Sequence, residues 1–188
     1  MKYVFVTLIL AIAAWVLFMT GPQDLTIYPS QEEAVYLLPW EAEKGRFVSQ
    51  GNRSFTTHRG HYYYSWDFWM SRGTEILAAR GGVVTGLLES VEGIGWYEGN
   101  FVMITHEDGT HAVYAHLEAG GALVEIGDQV KQGQVIGYAG MTGKTINPHL
   151  HFHVLNPGKS ASIPIAFNDV PGGVPFAGRW YVSGNSAR

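Results

Sequence analysis

The sequence predicts a mostly β protein, an antiparallel sheet or sandwich preceded by one apolar helix at the N-terminus. Glycine is abundant, at 24 of 188 residues, and aromatic side chains make up 13% of the chain, which is typical of a β protein rich in turns. From residue 46 onward, short apolar runs are separated by glycine at the intervals of an all-β domain. Residues 3–19 carry no charge and predict the helix.

The N-terminal segment, residues 1–19, is predicted to be a membrane anchor or a signal segment. Its uncharged run lies at the short end of the roughly 17–25 residues that span a bilayer, and it exceeds the roughly 7–15 residues of a usual signal-peptide core. The sequence Ala11-Ile12-Ala13 lies inside the run, where cleavage is disfavoured, so we favour an uncleaved anchor over a removed signal. Both interpretations place the chain in the cell envelope outside the cytoplasm, anchored in the inner membrane, periplasmic or secreted, with Lys2 inside.

The rest of the chain divides into three parts. Residues 20–45 form a linker with three prolines and a short helix around 31–38, and residues 46–158 form the β domain. Residues 159–188 contain three more prolines and are predicted to pack on the domain as an irregular C-terminal extension. Short apolar runs predict strands at 62–69, 75–78, 82–88, 100–105, 111–117, 135–139 and 149–155.

One hairpin can be placed by its turn. Asp108-Gly109 lies between two alternating apolar runs and predicts a two-residue turn. His106 then faces His111, and the two are expected as an exposed cross-strand pair. In the same strand, His116 shares a face with Tyr114 because alternate residues of a strand point the same way.

Charge and cysteine content narrow the classes of function. The net charge of −4 gives no support to nucleic-acid binding, which usually shows a basic stripe. The chain contains no cysteine, which excludes disulfides and thiolate zinc sites. Any metal must therefore be held by histidine, aspartate or glutamate.

Three histidines near the end of the β domain alternate with apolar residues. His149, His151 and His153 are separated by Leu150 and Phe152, a pattern that predicts a strand with the imidazoles on one face. Histidine is a common zinc ligand and titrates near neutral pH, so such a strand can hold a metal and handle a proton in one site. All eight histidines lie between positions 58 and 153, and this clustering predicts a His/carboxylate metal site.

Catalytic zinc typically keeps three protein ligands and one position for water. The candidate ligands are His58 or His61, Asp67, and one histidine of the strand 149–153. Asp67 lies in a highly aromatic run, where an unpaired carboxylate is costly to bury and a bound cation would remove that cost. A straight strand would hold His61 about 20 Å from Asp67. The chain must therefore fold back, and Gly60 makes such a bend easier.

An ordered set of motifs in residues 46–158 resembles the LytM/lysostaphin-type zinc metallopeptidases, the M23 peptidase family. The resemblance implies an antiparallel β fold with a substrate groove, a zinc ion at its floor, and hydrolysis of peptide bonds in peptidoglycan. The motifs are His58-Arg59-Gly60, Asp67-Phe68, Gly73-Thr74, Ala78-Ala79-Arg80-Gly81-Gly82-Val83-Val84, Tyr114-Ala115-His116-Leu117, the glycine-containing segment 127–137, Thr142-Gly143 and His149-Leu150-His151-Phe152.

Carried over by position, the resemblance implies that Asp67 and His151 bind zinc. It makes His116 and His149 the catalytic histidines that do not bind the metal. Beside a zinc-bound water, a histidine can accept a proton or stabilise a developing oxyanion, and we assign these two roles to the pair jointly.

Two positions depart from the family pattern. Eight residues separate His58 from Asp67 and five separate His61 from it, both more than in the best-known members. The Ser-His-x-Gly pattern of other members matches the sequence around His58, so we prefer His58 as the first ligand. His153 stands where relatives often carry glutamate. It should lie about 7 Å from His151 along the strand, which predicts a supporting or groove-lining role and not ligation.

Two other classes of function compete with the hydrolase. One is a zinc-free domain of the same family that binds or regulates other cell-wall hydrolases, which the presence of the metal-site residues disfavours. The other is a lipoyl- or biotinyl-type carrier domain, suggested by the glycine pattern of residues 127–137. In this chain Lys131 falls inside the turn-like segment and not at a hairpin tip, which disfavours the carrier.

Overall fold

The computed structural model describes residues 2–186, and side chains from residue 6 onward, and it confirms the antiparallel β fold. The elements are α1 (Lys2–Met19), a 3-10 turn (Leu25–Ile27), β1 (Gly45–Gln50), a second 3-10 turn (Gly60–Tyr62), β2 (Ser65–Trp69), β3 (Glu75–Leu77), β4 (Gly82–Leu88), β5 (Asn100–Thr105), β6 (His111–Ala122), β7 (Gln129–Val130), β8 (Val135–Ala139), β9 (His149–Leu155) and β10 (Trp180–Val182). The sheet order is β10-β1-β2-β9-β6-β5-β4-β7, and β8 pairs with both β3 and β6. All pairings between these ten strands are antiparallel.

The core lies on one face of the central strands. Trp66 of β2 and Phe152 of β9 pair in register and are fully buried, and Phe167 of the C-terminal segment packs on both rings, with centroids 5.2 and 5.7 Å away. Fully burying such a side chain contributes about 1.5–3 kcal/mol. Because side chains alternate along a strand, this burial turns the neighbouring pair, Asp67 and His151, to the opposite face.

The N-terminal helix forms as predicted, but its role as a membrane span is not supported. Among the described residues, no helix combines the length and the apolar character needed to cross a membrane. The end of α1 packs against the domain instead. Trp15 stacks on Phe47 with ring centroids 6.4 Å apart, and Phe18 stacks on Phe55 at 5.8 Å.

The flanking segments differ from the sequence prediction. The prediction of a short helix around 31–38 is wrong. Residues 31–33 form a turn, and Tyr36 forms an isolated β-bridge with Phe167. This segment also pairs with the domain, since Leu37 donates its backbone N–H to the carbonyl of Ala79. The C-terminal segment is not wholly irregular, because β10 adds to the sheet beside β1.

The β5–β6 hairpin differs from the prediction by one residue. The loop contains three residues, 107–109, with Gly109 in the left-handed region at φ +79°. Such loops are a common hairpin type in which the left-handed position favours glycine. The strand partner of His111 is Thr105 and not His106. The prediction of an exposed cross-strand histidine pair is therefore wrong. The two residues are not paired, and His106 and His111 are only 3% and 7% exposed.

Candidate active site

Three side chains converge on the face of the sheet opposite the core. Oδ1 of Asp67 lies 3.2 Å from Nε2 of His58 and 2.8 Å from Nδ1 of His151, and one donor atom of each residue lies within 4.8 Å of the others. Ligands at about 2.0–2.1 Å around a tetrahedral zinc ion are about 3.3–3.4 Å apart. The cluster of His58, Asp67 and His151, hereafter the metal cluster, therefore fits zinc in donor type and in spacing.

His58 reaches the cluster because the chain folds back after it. Gly60 adopts φ +56° and begins the 3-10 turn Gly60–Tyr62, which reverses the chain before β2. His58 is fully buried, and its Nδ1–H donates to the carbonyl of Gly51 at 2.8 Å. That bond leaves the lone pair on Nε2, toward Asp67. His61 lies outside the cluster, with Nδ1 2.9 Å from the carbonyl of Ser160.

The Asp67 carboxylate is held ionised inside the protein. Burial alone would raise its pKa, but the electrostatic interactions with His58 and His149 and the hydrogen bonds with His151 and His58 outweigh burial and hold the pKa of Asp67 well below its usual value. A buried carboxylate among imidazoles is a strong site for a cation. The electrostatics of the cluster therefore agree with its geometry.

His151 is positioned by a second histidine. Its Nδ1 faces Asp67, and its Nε2 lies 3.2 Å from Nδ1 of His153. When Nδ1 binds a metal, the ring proton must be on Nε2 and donates to His153. His153 is 3% exposed, so it supports His151 and does not line a groove.

A β-bulge places His116 on the same face of the sheet as the metal cluster. Ala115 and Leu117 pair with neighbouring residues of β5, so His116 between them has no partner in that strand. Its φ is +66°, in the left-handed region. Simple alternation predicts His116 beside Tyr114, which is buried in the core. That prediction is wrong, because the bulge rotates the imidazole to within 5.9 Å of the His151 ring, measured between centroids.

His116 and His149 are held in the same way beside the metal cluster, with ring centroids 4.7 Å apart. His116 donates Nδ1–H to the carbonyl of Thr142 at 2.8 Å, and His149 donates Nδ1–H to the carbonyl of Asn147 at 2.9 Å. Each bond leaves the lone pair on Nε2, and Nε2 of His149 lies 3.6 Å from Oδ1 of Asp67. Burial, together with the neighbouring His149 and His151, lowers the pKa of His116 to about 3, so this ring is neutral at pH 7.

Sequence reasoning missed two contributors to the site. Thr142 belongs to a motif that the sequence analysis used, but nothing in its side chain indicates that its carbonyl holds His116. Tyr62 stands at the rim, with its ring 5.7 Å from that of His151 and 5.3 Å from that of His153. Its place two residues after Gly60, at the end of the turn, is the signal that could have found it.

The fold and the site together define a class. A cluster of two histidines and one carboxylate is a donor set of catalytic zinc in metallopeptidases, and here it lies on an open antiparallel sheet beside two further histidines. Residues 61–163, more than half of the chain, match Peptidase family M23, and the chain belongs to this family. The family resemblance is thereby confirmed. The zinc cofactor is confirmed by the family together with the metal cluster.

This chain matches only part of the length of its known relatives. Glycyl-glycine endopeptidase ALE-1 of Staphylococcus capitis is 39% identical over 97 residues, which is 50% of this chain and 24% of that protein. Peptidoglycan DD-endopeptidase ShyC of Vibrio cholerae is 39% identical over 98 residues, 52% of this chain and 20% of that protein. The chain therefore spans about a quarter or less of these curated relatives.

Solved structures share the fold. A zinc-containing peptidase from Vibrio cholerae superposes with a TM-score of 0.52 at 28% identity, over 69% of this chain and 39% of that one. The antimicrobial peptidase lysostaphin from Staphylococcus simulans gives a TM-score of 0.51 at 29% identity, over 63% of this chain and 47% of that one.

Proposed function

We propose that this protein is a zinc-dependent endopeptidase that hydrolyses peptide bonds of bacterial cell-wall peptidoglycan, outside the cytoplasm. The observation that carries the proposal is the co-location of the metal cluster with two further histidines, each with Nδ1 hydrogen-bonded to a backbone carbonyl, on one face of the sheet. The names of the relatives, a glycyl-glycine endopeptidase and a peptidoglycan DD-endopeptidase, support this reaction and substrate.

In this proposal His58, Asp67 and His151 hold the zinc ion. Zinc with three protein ligands lowers the pKa of a bound water toward about 7 and polarises the carbonyl of a substrate. Asp67 contributes the negative charge of the ligand set. The hydrogen bond from His58 to Gly51 fixes which ring nitrogen faces the metal, as partners of ligating histidines commonly do.

His116 and His149 carry the proton and charge chemistry. A neutral imidazole with a free Nε2 can accept a proton from the attacking water, and once protonated it can stabilise an oxyanion or protonate the leaving amine. Their Nδ1–H bonds to the carbonyls of Thr142 and Asn147 orient both rings, and the hydroxyl of Thr145 lies 3.2 Å from Nδ1 of His149. Both roles are assigned to the pair jointly.

The test is digestion of purified peptidoglycan by the full chain, with fragments identified by mass spectrometry. The wild type is expected to release peptide fragments only with zinc present, and His149→Ala to lower the rate by about 10²–10⁴-fold. His111→Gln, a substitution away from the metal cluster, is the matched control. Fragment release that persists in His149→Ala would contradict the assigned chemistry. If the wild type released no metal-dependent fragments, the hydrolase proposal would be refuted, and a regulatory or binding function would be the remaining interpretation.

A further inference from the structure

Three aromatic side chains lie side by side across three neighbouring strands. In the strand register, Phe47 of β1 pairs with Trp180 of β10 on one side and with Trp69 of β2 on the other. The ring centroids are 5.8 Å apart for Phe47 and Trp180, and 6.3 Å apart for Phe47 and Trp69. Trp180, Phe47 and Trp69, hereafter the aromatic row, therefore form one continuous strip of rings across the strands.

The aromatic row faces away from the core. The adjacent residues Val48, Phe68 and Tyr181 are buried, so alternation turns the row to the other face of the sheet. Trp69 and Trp180 are 55% and 67% exposed. A contiguous exposed apolar strip is unusual on a solvated sheet and marks a binding surface.

The aromatic row leads directly to the candidate active site. Trp69 pairs in register with His149 of β9, and Asp67 lies on the same face two residues before Trp69. Neighbouring strands are about 4.8 Å apart, so the row extends about 14 Å from His149 to Trp180. A polymer whose peptide is at the metal cluster could lie along the row at the same time.

The protein's own helix does not fill this surface. Trp15 of α1 stacks on Phe47 with an interplanar angle of 7°, and it covers the middle of the row from one side. Trp69 and Trp180 stay more than half exposed on either side of that contact. The row therefore has room for a further partner.

We propose that the aromatic row binds the sugar rings of the glycan strand to which the substrate peptide is attached, an inference that rests on the proposed function. A pyranose ring presents an apolar face of C–H groups and polar hydroxyls at its edge. Indole has the matching form, with a flat apolar face and one N–H at its edge. A strip of aromatic rings therefore suits a polymer of pyranose rings.

A bilayer fits this surface less well than a glycan does. The aromatic row and the metal cluster lie on the same face of the same sheet, about 14 Å apart at most along the strand spacing. A membrane resting on the row would cover the site as well and would keep a cell-wall polymer away from it. A glycan on the row brings its attached peptide to the site.

The test measures binding of a hexamer of β-1,4-linked N-acetylglucosamine to the full chain by titration calorimetry, in a detergent without sugar headgroups. Trp180→Ala is expected to weaken binding by about tenfold or more, and Trp180→Leu, which keeps apolar bulk without a flat ring, by as much. Trp96→Ala is the matched control, because Trp96 is 91% exposed in the loop between β4 and β5, outside the aromatic row. Thermal unfolding confirms that each variant is folded.

Unchanged hexamer binding in both folded Trp180 variants would overturn the proposal, as would an equal loss in Trp96→Ala. Binding to phosphatidylcholine vesicles that depends on Trp180, without a hexamer effect, would assign the row to lipid and also overturn it. His149→Ala is expected to bind the hexamer like the wild type. Hydrolysis and glycan binding are thus measured separately. The experiment therefore distinguishes an error in the proposed hydrolase function from an error in the proposal that the aromatic row binds glycan.

Discussion

Replacing His153 tests how the metal cluster is held. His153 accepts the only proton that His151 can carry while its Nδ1 binds a metal, across 3.2 Å in a buried position. His153→Ala leaves that N–H buried without an acceptor, at a cost of about 1–3 kcal/mol. Since 1.4 kcal/mol is about a factor of ten, zinc affinity should fall by about 10–100-fold, the range seen for such supporting partners.

The assay is competition for zinc between the protein and a chromophoric chelator of known affinity. His153→Glu restores an acceptor for the Nε2–H of His151 and is expected to recover most of the affinity lost in His153→Ala. His111→Gln controls for loss of a buried histidine elsewhere. Wild-type affinity in a folded His153→Ala, or equal losses in the Ala and Glu variants, would refute the role of His153 in positioning His151.

Three further predictions follow from backbone conformation and burial. His116→Gly should be more stable to urea than His116→Ala by about 0.5–1 kcal/mol, because the left-handed conformation costs a residue with Cβ about 1–2 kcal/mol and the flexibility of glycine offsets part of the gain. Ala115→Gly should show the opposite sign, and Ala and Gly of equal stability at 116 would mean that the bulge relaxes. A methyl group on Gly99 would overlap the carbonyl oxygen of Thr142 and come within 2.9 Å of Nδ1 of His116, so Gly99→Ala should lower the hydrolysis rate by on the order of 10²-fold with zinc affinity unchanged. Gly158→Ala, where the nearest atom is 3.8 Å away, is its control, and wild-type rates in Gly99→Ala would contradict the role of Thr142. Burial lowers the pKa of His106, so the unfolded chain binds more protons and the free energy of unfolding should fall as pH drops below about 6.5. His106→Asn should reduce that slope in urea unfolding between pH 7 and 5, and an unchanged slope would show that His106 does not contribute.

The polarity pattern predicted seven strands that the structure contains and missed β1, β7 and β10. β9 and β5 match their predicted bounds because each alternates over six or seven residues. β7 and β10 contain two and three residues, too few for any period to be visible. They exist because β4 and β1 offer them an edge, which is a property of the folded sheet.

The site was predictable in residue type but not in geometry. Alternation correctly puts His149 and His151 on one face, and the aromatic run around Asp67 indicates a carboxylate that needs partners. The same alternation sends His116 into the core, because the pattern of side chains does not contain the sign of a backbone angle. The bulge brings His116 beside the metal cluster, and the turn at Gly60 lets His58, in the loop before β2, join it.

The pairing of β2 with β9 has a consequence for the lifetime of the folded protein. Asp67 and His151 are 84 residues apart in sequence, so the unfolded chain has no preformed zinc site. By mass action, an ion that binds only the native state at a thousand times its dissociation constant adds about 4.1 kcal/mol to the free energy of unfolding. Contacts between such distant residues also form slowly during folding, so a molecule that has unfolded stays exposed to proteolysis for longer before it refolds. Zinc depletion should therefore shorten the survival of the protein in the presence of a protease.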